Sequence, residues 1–248
     1  MTNYAKKHPY FLGAIIISII VMSAFIAGYR IQPSGRIQKN GFLVATLPLK
    51  NTVVYVDDKK LVTTTEENQT ITLPLSVRAH DVIIGREGYF PWMTQVIIES
   101  GTSHTIQPLF ITQNTTGQII TQKDTDYWNI RNRMYKEPLP SEQIPRQQGS
   151  VSIWVSNNTI YFSTKQGETK EIITPKDTIR SLDFYKDRTD VIMFAADTGV
   201  YVIDAVEHAT EKVVNFFPVY KGVKPIFEKS MNASVYVLDG ENLMMVVI

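Results

Sequence analysis

The chain has 248 residues, with 25 lysines and arginines against 24 aspartates and glutamates, a formal net charge of +1, and no cysteine. Near-neutrality argues against nucleic-acid binding, which requires a basic patch. The missing cysteine excludes disulfides, thiolate metal sites and cysteine nucleophiles together.

Taken in chain order, the first element is an apolar run. Phe11–Tyr29 reads FLGAIIISIIVMSAFIAGY without a charge. As a helix its roughly 19 residues would extend ~28 Å, close to the thickness of a hydrocarbon core. The pattern predicts a transmembrane helix over 11–29 behind a short basic head, 1–10, that carries Lys6 and Lys7. Phe11 and Tyr29 mark the ends of the anchor, and Tyr10 and Tyr29 suit the interfacial aromatic belt. A cleaved signal peptide fits the basic front end. It does not fit the length of the run or the lack of a small-x-small cleavage site. Arg30, Arg36 and Lys39 follow the run, so the flanking charges nearly balance. A ten-residue head that stays inside places the long body outside.

Residues 30–40 read as a polar stalk with Pro33 and Gly35. Strand patterns follow over 41–120: GFLVAT at 41–46, VVYV at 53–56 before the turn DDKK, QTITLPL at 69–75, then QVIIE at 95–99 and HTIQPLFI at 104–111. Short β-branched and aromatic runs with turn signals every ~8–12 residues predict a small β-sandwich. Three stretches, VVYVDDKK, TITLPLSVRAHDVIIGREGYFPW and VIIESG, resemble the PEGA domain. That family is a small β-sandwich of membrane-anchored surface proteins, including proteins of reduced-genome bacteria. Gly88–Trp92 (GYFPW) is the most specific part of the resemblance. The eponymous Pro-Glu-Gly-Ala is replaced by Pro48-Leu49-Lys50-Asn51, and the turn glycine after VYVD by Asp58. Asp and Asn tolerate such turns, so the hairpin is still expected.

Residues 121–149 are polar and carry Pro138, Pro140 and Pro145, which reads as an inter-domain linker. Tyr127, Trp128 and Tyr135 imply that part of it packs on a domain surface. Over 150–248 a strand–turn–strand unit recurs at Thr159–Ile173, Asp190–Asp204 and Ser234–Ile248. Its uneven spacing brackets the ~40-residue period of a propeller blade. Two or three such units are fewer than the four a propeller needs, so an incomplete antiparallel module is expected. The anchored PEGA proteins have a similar layout. The last strand, LMMVVI at 243–248, would be sticky as a bare edge and is expected to be buried or to pair with a second copy.

No catalytic motif emerges. His8, His80, His104 and His208 lack metal-ligand spacing. The acidic pairs Asp57/Asp58 and Asp124/Asp126 lack the other ligands of a calcium loop. No phosphate loop, dinucleotide fingerprint or nucleophile elbow occurs. Trp92 and Trp154 are the candidate binding aromatics, although aromatics in small β-domains usually build the core. The expectation is therefore an all-β body on one N-terminal transmembrane helix, a β-sandwich followed by a propeller-like module. It would be a non-enzymatic envelope protein without cofactor or metal, contacting cell-wall polymer, a surface layer or a protein partner, and able to self-associate through its last strand. The alternative is a membrane-tethered carbohydrate-binding module.

Overall fold

The computed structural model describes residues 9–26, 28–31, 35, 37–164, 167–205, 215–230 and 234–248. Most of the basic head, Lys6 and Lys7 included, lies outside them, as do Arg36, His8 and His208. The described chain is mostly β, in several small and mainly antiparallel sheets, and divides into two compact units. One comprises 1–82 with 95–108, the other 83–94 with 109–248.

In the first unit helix α1 (Pro9–Ile26) covers the apolar run. It ends three residues short of the expected Tyr29. The Gly28 amide bonds back to the Phe25 carbonyl at 3.1 Å with Gly28 at φ +88, a left-handed stop that glycine takes without strain. Tyr29 then begins a strand, β1 (Tyr29–Ile31), which pairs with β2 (Ile37–Lys39), so the expected stalk is a small hairpin. At 1.5 Å per residue α1 extends about 27 Å, where spanning takes ~20 residues. Among the described residues no helix is long and apolar enough to cross a membrane.

Strand β3 (Gly41–Leu47) lies between β6 (Gln69–Leu75) and β9 (Ser103–Ile106), antiparallel to the first and parallel to the second. Pro74, which has no amide to donate, is tolerated because β6 is an edge strand. A second sheet runs β5 (Lys59–Thr63), β4 (Val53–Val56), β7 (Ala79–Gly85), β8 (Trp92–Ile97). Its outer strand β5 begins with two lysines, which discourage edge-to-edge pairing. Each sheet buries alternate residues, Leu43, Ala45 and Leu47 on β3 and Val54 and Val56 on β4, as a β-sandwich requires. The DDKK turn forms with Asp57 and Asp58 both at positive φ, the signature of a two-residue I′ hairpin. The tip of the β7–β8 hairpin, residues 83–94, belongs to the second unit.

The second unit holds three four-stranded meanders. The first is β11 (Arg146–Gln148), β12 (Val151–Ser156), β13 (Thr159–Thr164), β14 (Thr169–Ile173). The second is β15 (Ser181–Phe184), β16 (Val191–Ala196), β17 (Gly199–Asp204), β18 (Phe216–Lys221). The third orders β19 (Ile226–Lys229), β20 (Ser234–Asp239), β21 (Asn242–Val247), β10 (Gly117–Ile120). Two sequence-based expectations are corrected here. Residues 117–120, assigned to the sandwich, instead complete the third meander, because the apolar β21 needs a partner on its open side. The terminal strand thereby lies between β20 and β10 and presents no bare edge. The repeat begins one strand earlier in its first copy than the sequence pattern predicts. The equivalent central hairpins start at Val151, Val191 and Ser234, about 40 residues apart each time. The β13–β14 hairpin of Thr159–Ile173 has the same strand–turn–strand pattern as β12–β13, so sequence pattern alone does not distinguish them.

Ile153, Ile160 and Phe162 from the first meander pack with Leu182, Phe184, Ile192 and Phe194 from the second in one buried cluster. Strand β16 is buried at every position, so its sequence VIMFAA is apolar on both faces. The expected linker carries a helix, α2 (Tyr127–Lys136), not free chain. Tyr127, Ile130 and Met134 repeat on one helical face and pack on Leu238 and Leu243 of the third meander. Trp128 and Tyr135 stay exposed.

Candidate functional site

The first strands of the three meanders, β11, β15 and β19, bring a charged cluster together. Lys229 on β19 donates to the Lys186 carbonyl at 2.9 Å and to Gln148 Oε1 on β11 at 3.4 Å, and its ammonium lies 3.5 Å from Asp183 Oδ1 on β15. An ammonium has three protons, and three acceptors face it. The Ser181 hydroxyl accepts the Phe227 amide at 3.2 Å, a second link from β19 to β15.

Beside this tie lies a cavity of about 210 Å³ whose lining includes charges of both signs, Arg146, Arg180 and Lys229 with Glu137, Asp183 and Glu228. Arg146 pairs with Glu137, the residue that ends α2, and Arg180 pairs with Asp197 at 2.6 Å. Glu228 Oε1 accepts from Arg133 of α2 at 2.5 Å. Burial works against the Arg146 charge, but Glu137 and Asp183 more than restore it, so its pKa is raised. Two atoms of the wall are buried without a hydrogen-bond partner, Arg146 Nε and Glu228 Oε2. Asp183 Oδ2 lies 3.8 Å from that Nε, an ion-pair distance too long for a hydrogen bond. Arg146, Asp183 and Glu228 stand at or next to the ends of short strands in three different meanders, and nothing in their local sequence marks them out.

The sequence-predicted residues do not gather there. Trp92 is buried at 2% exposure, and its indole N–H donates to the buried Asp204 carboxylate at 3.1 Å. Next to it the Met93 amide donates to Asn215 Oδ1 at 3.0 Å, and Asn215 Nδ2 donates back to the Met93 carbonyl at 2.7 Å. Phe90 stacks on Phe217 with ring centroids 5.4 Å apart. GYFPW is thus a core-building tip. Trp154 is half-buried on β12 and stacks on its cross-strand partner Tyr161, with centroids 5.7 Å apart and planes inclined 16°. Phe11 lies within α1, its side chain outside the description, and Tyr29 is exposed on β1.

His80 and His104 do not meet. His80 is buried, with Nδ1 2.8 Å from Asp57 Oδ2 and Nε2 2.9 Å from the Ser76 carbonyl, whereas His104 is exposed. Burial raises the pKa of Asp57, but the His80 hydrogen bond, with help from the Asp81 amide and Arg78, takes it below its ordinary value. Asp124 accepts the Thr121 amide at 2.7 Å and hydroxyl at 2.9 Å in the turn before α2, which lowers its pKa. Among the described residues no three His, Asp or Glu side chains gather into a group able to hold a metal.

No protein-family profile and no curated protein matches the chain. Among solved structures it is similar to a Bacteroides thetaiotaomicron protein provisionally described as a phosphatase. The identity is 11% and the TM-score 0.21, over 76% of this chain and 49% of the other. The match spans about half of that protein, and at this score it carries no argument about fold or activity.

Proposed function

We propose that the chain is a non-enzymatic envelope protein, held to the cytoplasmic membrane by the apolar run 11–29, of which the described helix α1 alone is shorter than a full span, and working by contact outside it. Its body would comprise a PEGA-like sandwich and a propeller-like module of three blades, with cell-wall polymer, a surface layer or a partner protein as its target. The observation that carries this reading is the surface of α1. Ile15, Ile16, Ile17, Ile19, Ile20, Val21, Met22, Phe25 and Ile26 are all exposed. At 100° per residue they point in every direction, so no single protein face could cover them, whereas lipid can. The charge-free segment flanking the helix at Gly28 and Tyr29 would lie at the interface. The meander period of ~40 residues, and a third meander completed by a strand from the module's start, support the propeller-like part.

Alkaline carbonate extraction tests the anchor. The full chain is expected in the membrane pellet, and an Ile17→Lys/Ile20→Lys variant in the supernatant, since each central lysine costs ~2.5–3.5 kcal/mol. Recovery of the unaltered chain in the carbonate supernatant sinks the reading. Protease treatment of protoplasts with a tag on Ile248 then tests which side the body occupies: cleavage of the tag supports the outside placement, and protection until lysis refutes it.

The second reading, a tethered carbohydrate-binding module, is favoured by the Trp154–Tyr161 stack, a flat aromatic surface on the β12–β13 hairpin. Trp92 contributes nothing to such a surface, being buried.

A further inference from the structure

We propose that the β1–β2 hairpin lies on the membrane surface, with Tyr29, Ile31 and Ile37 turned into the lipid. This contact rests on the anchoring of the run 11–29 and adds a second, interfacial one to it. In an antiparallel pair, residues directly opposite each other share a face. Tyr29 opposes Lys39 and Ile31 opposes Ile37, so these four lie on one face, and Gln38 belongs to the other. Ile31 and Ile37 are 69% and 68% exposed and Tyr29 is 43% exposed, whereas Gln38 is half-buried. A two-stranded hairpin is marginal in water, and one whose open face is apolar gains most from having that face covered.

Reach says what covers it. Tyr29 is three residues beyond Ile26, the end of α1, and three residues extend ~11 Å at most. The Gly28 amide turns back to the Phe25 carbonyl at 3.1 Å, which shortens that reach. A helix of about 27 Å in a core of ~30 Å ends at or inside the hydrocarbon boundary, and the headgroup layer beyond it is roughly 5–7 Å deep. The hairpin therefore starts within that layer. Its other end is fixed there too, because the Asn40 amide donates to the Gly28 carbonyl at 3.0 Å. The Ser100 hydroxyl donates to the Lys39 carbonyl at 3.0 Å and ties the same base to the sandwich, so the hairpin is a brace between helix and body. Depth is bounded as well. The outer edges of a two-stranded hairpin carry unpaired amides and carbonyls, which headgroups and their water satisfy and hydrocarbon does not. Charge agrees with this position: no acidic residue precedes Asp57, while Arg30, Arg36 and Lys39 fall within 29–39. Such a basic segment is drawn to anionic headgroups, and Lys39, exposed beside the isoleucines, can reach a phosphate with its stem on the apolar face.

The chain has no cysteine, so one introduced cysteine carries a fluorophore to one place. Ile17→Cys, Ile31→Cys, Ile37→Cys and Gln38→Cys, each labelled with an environment-sensitive nitrobenzoxadiazole, are placed on the full chain in vesicles of phosphatidylcholine and phosphatidylglycerol. Each is quenched in turn by a nitroxide high on the lipid chain, a nitroxide deep on it, and aqueous iodide. The labels at Ile31 and Ile37 are expected to be quenched by the shallow nitroxide at least about twofold more than the label at Gln38, and the label at Ile17 best by the deep one. Circular dichroism checks that each labelled chain keeps its β-structure, and the comparison of Ile31 and Ile37 with Ile17 stands without Gln38. Deep quenching at Ile17 together with iodide, but not the shallow nitroxide, reaching Ile31 and Ile37 would overturn the proposal and leave the anchor standing. Protection of Ile31 and Ile37 from both quenchers would overturn it as well, since protein would then cover the face; a disulfide between unlabelled Ile31→Cys chains would identify that cover as a second copy. Loss of deep quenching at Ile17 would sink the anchor itself, and this contact with it.

Discussion

Replacing Trp92 with alanine separates the two roles the residue could have had. Its side chain is among the largest fully buried ones, at 2% exposure. Burying up to ~250 Å² at ~25 cal/mol per Å² gives an upper figure near 6 kcal/mol, while measured Trp→Ala losses run about 3–5 kcal/mol. The variant also removes the donor to Asp204, a buried carboxylate that has further interactions of its own, so that loss falls at the low end, about 1 kcal/mol. The sum is about 4–6 kcal/mol, which speeds exchange through global opening by at least roughly a thousandfold. Hydrogen exchange read on peptides from β16 and β17 reports the second meander directly. Trp92→Phe keeps most of the apolar volume and loses the N–H, so it should cost only about 1–2 kcal/mol. If Trp92→Ala changed exchange in β16–β17 by less than tenfold, the indole would not be part of that core, and its burial against Asp204 would have been misread.

The other predictions concern single contacts. Lys229→Met removes the tie among three first strands and should cost ~2 kcal/mol in urea unfolding. It should not cost more, because Asp183 keeps Arg146 at 3.8 Å; a neutral result would show that the three meanders hold together without it. Asp57 is depressed in the folded state, so it contributes stability above the unfolded carboxylate range and loses it as pH falls through its folded value. The gap between the chain and Asp57→Asn should therefore be steady from pH 7 to ~4 and shrink below that. Water reaches the pair, so the gap stays within about 1 kcal/mol; a gap that widened in acid would reverse the sign assigned here. Gly199→Ala places a Cβ against the Tyr220 carbonyl, and backbone must move to admit it. A loss of about 1–3 kcal/mol is expected in thermal unfolding, and an unchanged midpoint would mean that β18 gives way freely.

Where periodicity carried information, the elements could be read from the chain. QTITLPL alternates because one face of β6 is buried, and VVYV followed by DDKK is a hairpin because aspartate accepts positive φ. The errors have physical causes as well. Tyr127–Lys136 reads as linker because its three buried residues are spaced as a helix face within a polar, proline-flanked stretch. Helical spacing over only ten residues is a weak signal, and the apolar stripe is matched by Leu238 and Leu243, more than a hundred positions away. GQII at 117–120 is four residues long, and only the unsatisfied side of β21 explains where it goes.

The charged cavity was the least legible part for the same reason. Arg146, Asp183 and Glu228 each sit at or near the end of a three- or four-residue strand, where a charged residue normally means no more than solvent. Their meaning comes from superposition. A meander repeated at ~40 residues brings the same structural position of each copy toward the others, so charges that are isolated in sequence become neighbours. Because the repeat is structural rather than a repeat of residue types, the three copies can supply opposite signs. Arg146 and Lys229 face Asp183, and α2 adds Arg133 and Glu137 from outside the repeat. Such a cluster is costly unless almost every charge is paired, and the pairing here is nearly complete, with Arg146 Nε and Glu228 Oε2 left buried without a hydrogen-bond partner.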